Sequence, residues 1–172
     1  MNEPKPLAGH GARVWRLGAD VDTDALAPGH AMKHGMDIIA RHCLEQLRPD
    51  FPAGVRAGDV LVAGPNFGIG SSREQAASVL VALGVAAVIA PSYSGLYFRN
   101  AFNVGLLLLT CPQAGVLQEG ELIAFDARTS CITRANGEPL FAEPIPDFLL
   151  TMAGAGGLLA QLQQSLISRK TS

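Results

Sequence analysis

Apolar residues in this chain gather into short blocks between polar turns, and the blocks alternate between strand and helix length. Val14-Trp15-Arg16-Leu17 predicts a strand, followed by a polar turn over Gly18–Asp24 and a loop over Ala25–Gly35 that holds Pro28, Gly29 and Gly35. Ile38, Ile39 and Leu44 recur at helical spacing within Met36–Leu47. Pro49 and Pro52 end that helix, because proline lacks a donor and biases its predecessor against helix. Asp59–Ala63 is a buried run of strand length, and a glycine-rich turn follows it. Ser72–Leu83 then predicts a helix whose apolar side is Ala76, Ala77, Val79, Leu80 and Leu83, with Gly84 as its stop. Val85–Ala90 is a second apolar strand. Strand, turn, helix and strand in this order make a parallel pair with a right-handed crossover.

Ser94–Asn103 predicts another helix, stopped at Gly105, and Leu106–Leu109 another strand. Beyond Pro112 the pattern changes. Glu121–Asp126, Cys131–Arg134 and Pro139–Ala142 read as short strands, with Asn136-Gly137 as a hairpin turn. Phe148–Met152 and Leu158–Ile167 read as short helices around Gly154, Gly156 and Gly157. Residues 1–11, with Pro4 and Pro6, and residues 168–172 read as flexible ends. There is no internal repeat and no linker. The pattern is that of one α/β domain over residues 1–172, mixing parallel and antiparallel strands.

Composition narrows the function classes. The chain has 172 residues, 48% hydrophobic and 16% charged, enough for one compact domain with a core of useful size. A net charge of −2 and the lack of a basic run argue against nucleic acid as a partner. No apolar run reaches membrane-spanning length, and the N-terminus has no apolar signal core, so the expectation is a cytoplasmic protein that does not bind membranes. Low charge and many small apolar residues hint that a partner covers part of the surface. Cys43, Cys111 and Cys131 are widely spaced with no C-x-x-C pair, so they read as inert thiols rather than cluster ligands. His30 and His34 form an i, i+4 pair without a third ligand at a sensible spacing, and they read as surface histidines; no metal site is expected.

The candidate chemistry lies in Gly64-Pro65-Asn66-Phe67-Gly68-Ile69-Gly70-Ser71-Ser72-Arg73-Glu74-Gln75. Glycines let backbone approach a ligand, free N–H groups at a helix start attract anions, and Arg73 adds a planar fork for a carboxylate or phosphate. A dinucleotide fingerprint fails here. Arg73 stands where the third glycine belongs, and the next strand ends in Ala90-Pro91-Ser92 without an acid. A phosphate-binding P-loop fails for want of a lysine in the turn. Two readings stay open. Ser71-x-x-Glu74 is a capping box that closes a helix start, or the turn is a carboxylate site in which Arg73 grips a substrate and Ser71 reacts.

Three blocks together carry a resemblance. Gly70-Ser71-Ser72-Arg73-Glu74-Gln75-Ala76 is similar to the signature of the small swivelling domain of the aconitase superfamily. Asp20-Val21-Asp22-Thr23-Asp24 with Pro28 resembles the entry motif of the isopropylmalate isomerase small-subunit family. Phe98-Arg99-Asn100 with Asn103-x-Gly105-Leu106 resembles that family's third block. The resemblance covers roughly Trp15 to Ala142. It implies a three-layer β/β/α swivelling domain with a mixed sheet. It also implies half of a hydro-lyase that moves a hydroxyl between adjacent carbons of a hydroxy di- or tricarboxylate by dehydration and rehydration. The other half is a large subunit carrying a [4Fe–4S] cluster, with no cofactor in this chain.

Carried onto this sequence, the resemblance implies Ser71 as the catalytic base and Arg73 as a substrate-carboxylate ligand. Ser72 joins substrate binding, while Gly70 and Glu74 support the turn. Pro28–His34 matches the substrate-selecting loop, with Lys33 near its selecting position, either pairing with a carboxylate or facing water. Asp22 and Asp24 read as turn-forming and capping residues. Gln75 stands where many relatives have histidine, and Gly95 where relatives commonly have arginine. The Gly95 difference leaves related substrates of the homoaconitase or dimethylmalate-dehydratase type open. A non-catalytic binding domain on the same fold, with Ser71 only capping, also stays open.

Overall fold

A computed structural model describes residues 4–171. In chain order the elements are β1 (Ala8–Arg16), α1 (Thr23–Leu26), α2 (Met36–His42), α3 (Phe51–Gly54), β2 (Val60–Val62), α4 (Gln75–Ala82), β3 (Ala87–Ala90), α5 (Gly95–Asn103), β4 (Leu107–Thr110), β5 (Leu122–Asp126), β6 (Cys131–Thr133), β7 (Pro139–Phe141), α6 (Asp147–Ala155) and α7 (Leu158–Lys170). The strands form one mixed sheet in the order β4-β3-β2-β1-β5-β6-β7. The β4-β3-β2-β1 wing is parallel and the β1-β5-β6-β7 wing antiparallel. The α/β mixed-sheet expectation therefore holds, including the parallel β2–β3 pair around α4.

The two wings differ in pattern because they differ in burial. Strands β2 and β3 are buried at every residue, which is why they read as unbroken apolar runs. In β5, Ile123 and Phe125 are buried while their neighbours are not, and β6 and β7 each bury one central residue, Ile132 and Leu140. Strand β1 joins the wings. Val14, Trp15 and Arg16 pair with β2, while its first half pairs with β5 across a bulge between Gly9 and Ala12. Beside that junction, the guanidinium groups of Arg13 and Arg48 both lie over the Trp15 ring, 4.9 and 4.8 Å from its centre. Its indole N–H donates to buried Asp59, which also accepts from Arg13 and from the Arg56 amide.

Several boundaries differ from the sequence reading. Strand β1 starts at Ala8, inside the stretch expected to be flexible. Ahead of it, the Lys5 amide donates to the Gly154 carbonyl and the Lys5 ammonium to the Gly105 carbonyl. Residues 1–3 and 172 of the expected flexible ends lie outside the described residues. Helix α7 continues through Ser168 to Lys170. Helix α2 stops at His42 rather than Leu47. Leu44 takes a positive φ of 59° and its amide bonds the Ala25 carbonyl, so a tertiary contact outbids the next helical turn. Pro52 does not end a helix; it sits in the first turn of α3, where its missing N–H costs nothing.

Leu159, Leu162, Leu166 and Ile167 of α7, together with Phe141 and Phe148, leave large apolar side chains exposed. No helix among the described residues is long and apolar enough to cross a membrane.

Candidate active site

The glycine turn leaves the end of β2 and meets the Asp20–Asp24 segment side by side. The Gly68 amide donates to the Val21 carbonyl, the Thr23 amide donates to the Ile69 carbonyl, and Asp22 and Ile69 form a parallel bridge. Two glycines make this approach possible. At Gly68, with φ +83°, a Cβ would lie 2.1 Å from the ring of Tyr97; at Gly70, with φ +111°, it would lie 2.9 Å from Thr23 Oγ1. Tyr97 is fully buried under the turn and donates its hydroxyl to the Ala76 carbonyl. Burial pushes that phenol well above its ordinary pKa, so it serves as a neutral floor.

Ser71 emerges from this base exposed. Its amide donates to Thr23 Oγ1 at 3.0 Å, and the two hydroxyls lie 3.2 Å apart. Arg73 Nε donates to Ser71 Oγ at 2.7 Å. Arg73 Nη1 reaches the Ala27 carbonyl at 2.8 Å and lies 3.4 Å from Asp24 Oδ1. That same Asp24 oxygen accepts the Gly29 amide at 3.0 Å. The guanidinium thus ties the glycine turn to the Ala25–Gly35 loop, and Asp24 braces the loop from behind. Arg73 Nη2 has no partner among the described residues.

The capping-box reading fails in this geometry. Helix α4 begins at Gln75, three residues after the predicted Ser72, with Glu74 as its N-cap and no side-chain cap. Ser71 spends its oxygen on Arg73 and Thr23 instead of the helix, and exposed Glu74 does not reach back. The amides of Ser72, Arg73 and Glu74 consequently have no acceptor among the described residues. They stand as donors at the positive end of α4. Asn100 of α5 steadies the turn by donating to the Ser72 carbonyl at 3.0 Å.

The structure thus brings Gly70, Ser71, Ser72, Arg73 and Glu74 together. It does not bring in Lys33, which is exposed on a 3-10 turn over Met32–His34 without a hydrogen bond or ion pair among the described residues. Asp22 caps α1 through the Ala25 amide, as the motif suggested. Thr23, Asp24 and Asn100 are contributors that the sequence reading passed over as site residues, although each lies in a motif it quoted.

The three cysteines do not gather. Cys43 and Cys111 are buried, burial pushes both thiols up, and Cys131 sits apart in β6. Among the described residues, the one close group of three or more potential metal-ligating side chains is His30, His42 and Glu45. The donor set for an iron–sulfur cluster is therefore not assembled in this chain.

Comparison with known proteins places the fold and the family. Residues 54–114 match the Aconitase C-terminal domain family. A 3-isopropylmalate dehydratase small subunit 1 from Methanopyrus kandleri is 40% identical over 155 residues, covering 88% of this chain and 91% of that protein. One from Archaeoglobus fulgidus is 41% identical over 149 residues, covering 86% and 92%. A crystal structure titled 3-isopropylmalate dehydratase, from Methanocaldococcus jannaschii, superposes with a TM-score of 0.86 at 35% identity, covering 96% of this chain and 99% of that one.

Proposed function

The chain belongs to the family of 3-isopropylmalate dehydratase small subunits, and we propose that it supplies the proton-transfer and carboxylate-binding half of a two-chain hydro-lyase. The enzyme isomerises 2- and 3-isopropylmalate by dehydration and rehydration, a step of leucine biosynthesis, and it acts only with its large subunit. The observation that carries the assignment of roles is the 2.7 Å donation from Arg73 Nε to the oxygen of an exposed serine.

Dehydration must remove a weakly acidic C–H proton and expel a hydroxide. Ser71 Oγ is the base for the first task. A free serine hydroxyl is far too weak an acid to be ionised, so its oxygen needs positive charge and fixed donors around it. Arg73 supplies both charge and one N–H. The Thr23 hydroxyl, itself anchored by the Ser71 amide, stands ready as a second donor. The free amides of Ser72, Arg73 and Glu74 add to the local positive potential. Gly70 allows the close approach to Thr23 that makes this possible, while Glu74 shapes the turn rather than reacting.

Substrate orientation falls to the same guanidinium. Nε and Nη2 present parallel N–H bonds along one edge of the plane. A substrate carboxylate oxygen on Nη2 therefore lies beside Ser71 Oγ on Nε, which places the C–H bond next to the carboxylate within reach of the base. The Ser72 amide and hydroxyl offer further donors. Lys33 is the candidate for a second substrate contact from the selecting loop, six residues beyond Ala27.

Expulsion of hydroxide calls for a Lewis acid. The scattered thiols of this chain, two of them buried, do not fit a cluster, which supports a [4Fe–4S] cluster in the large subunit. The exposed Ser71 supports a partner that closes the site, and the uncovered apolar side chains of α7 support a partner that covers part of the surface. The test is reconstitution. The purified chain alone is expected to be folded and inactive, and addition of the cluster-loaded large subunit is expected to produce isopropylmalate isomerisation. Turnover by the chain alone would overturn the half-site reading. An assembled complex that turns over a different hydroxy acid and ignores isopropylmalate would overturn the substrate.

A further inference from the structure

We infer that His30, His42 and Glu45 form a binding site for a divalent transition-metal ion of the zinc class, which pins the Pro28–His34 loop to the end of α2. The ligand atoms of the three side chains all lie within 4.8 Å of one another. His42 Nδ1 is 2.7 Å from Glu45 Oε2, and His30 Nε2 is 3.6 Å from Glu45 Oε1. The two imidazoles meet edge to face with centres 4.9 Å apart. An ordinary ion pair between neighbours in sequence accounts for His42 and Glu45. It does not account for a second imidazole, brought from another segment, aimed at the other oxygen of the same carboxylate.

Two imidazoles and one carboxylate are a nitrogen–oxygen donor set suited to zinc, and three protein ligands leave a fourth position for water. Calcium and magnesium prefer all-oxygen shells, so the imidazoles select against them. Zinc bonds to these ligands are about 2.0–2.2 Å long, which sets tetrahedral ligand–ligand edges near roughly 3.3 Å. On binding a metal the wider separations must therefore contract by up to about 1.5 Å, while the 2.7 Å His42–Glu45 pair opens by about 0.6 Å. Side-chain rotation can supply that, since the His30, His42 and Glu45 side chains are 60%, 37% and 33% exposed. The sequence pairing of His30 with His34 is replaced in the fold by His30 with His42.

The position gives the site a consequence. Gly29, next to His30, donates to Asp24, and Ala27 receives Arg73. A metal held by His30 would fix the loop against the same residues that orient the guanidinium. This consequence rests on the proposed function, whereas the metal site does not, so the test reads metal binding by the chain without any assay of turnover.

Tag-free protein, stripped with a chelator, is titrated with zinc chloride by calorimetry, with thermal melting and amide hydrogen exchange recorded in parallel. The expected result is one zinc per chain, a higher melting temperature and slower exchange over residues 28–34. His42→Ala and Glu45→Gln should each weaken binding by at least about tenfold, while His34→Ala, four residues from His30 and outside the triad, should leave it unchanged. Circular dichroism checks that each variant is folded, and Glu45→Gln keeps the side-chain shape if His42→Ala does not fold. Absence of saturable binding, binding indifferent to both triad substitutions, or binding lost with His34→Ala would each overturn the site.

Discussion

Replacing Ser71 by alanine and by glycine separates chemistry from architecture, because the structure makes the stability cost small. Ser71 is exposed and does not cap α4. Its hydroxyl has two neighbours, Arg73 Nε and the Thr23 hydroxyl. Arg73 keeps the Ala27 carbonyl without it, and Thr23 Oγ1 keeps the Ser71 amide, which both variants retain. No buried group is orphaned, so the loss should stay within about 0.5–1.5 kcal/mol, the range of one surface hydrogen bond. A true N-cap would give a different signature, with alanine costing about 0.5–2 kcal/mol and glycine only a few tenths. Removal of a general base costs about 10²–10⁴-fold in rate, equivalent to about 2.7–5.4 kcal/mol at 1.36 kcal/mol per decade. The assay combines urea melts of the isolated chain with two measurements on the reconstituted enzyme: kcat/KM for isopropylmalate, and exchange of the substrate C–H proton with solvent deuterium. Both variants should fold, bind the large subunit and lose exchange. A Ser71→Gly enzyme with kcat/KM within tenfold of wild type would refute the assignment of the base.

Three further outcomes follow from the geometry. Arg73→Lys should lower kcat/KM by at least roughly tenfold, in line with about 1.5–3 kcal/mol for a charge-assisted hydrogen bond, with little change in the melting curve. An ammonium cannot hold Ser71 Oγ, Ala27 O and a carboxylate in one plane, so unchanged kinetics would reject the clamp. Gly68→Ala should destabilise the chain by more than about 1–3 kcal/mol, the scale of local strain alone, because its Cβ would meet the Tyr97 ring at 2.1 Å on a backbone with φ +83°; thermal melting reads this, and a wild-type midpoint would refute the packing argument. Burial raises the Asp59 carboxyl, but donations from Arg13, Trp15 and the Arg56 amide outweigh it and hold the group below its ordinary value. A lowered folded-state pKa contributes stability above the unfolded value, near about 3.9, and loses it as pH falls through the folded value. The stability gap between wild type and Asp59→Asn should therefore narrow below about pH 4. A gap that is constant between pH 7 and pH 3 in urea melts would contradict that linkage.

The parallel half of the fold was legible because burial wrote it into the sequence directly. Strands β2 and β3 are covered on both faces, so their apolar runs are unbroken, and Gly84 marks the end of α4 with φ +80°. The β6–β7 hairpin was equally plain, with Gly137 supplying the positive φ its turn needs. The first half of β1 was not legible. Ala8-Gly9-His10-Gly11 has no β-branched or large apolar residue, and pairing with β5 makes it a strand. At the site, Ser71-x-x-Glu74 left the capping box open for a physical reason. The motif states which donors and acceptors are present but not where they turn, and a buried threonine 48 positions away took the Ser71 amide. Asp24 looked like a turn residue and is one, through Gly29, yet the same oxygen also faces Arg73. The His30–His42–Glu45 group was invisible to spacing rules, since a loop and a helix end converge only in three dimensions.

The openness of the Ser71 site bears on how the reaction must be divided. A serine oxygen in contact with bulk water is reprotonated at once, and an arginine in contact with bulk water attracts a carboxylate weakly, because the high dielectric screens both. The donors around Ser71 gain strength only when water is excluded. Among the described residues, the loop that carries Lys33 is tied to the turn through Ala27 and Asp24, and Ser71 stays exposed beside it. On the proposed reading, closure comes from the large subunit, which would also bring the Lewis acid that expels hydroxide. If Ser71 is the base and Arg73 the clamp, a small chain with an uncovered site is the form expected of one half of a dehydratase, with catalytic strength arising at the moment of assembly.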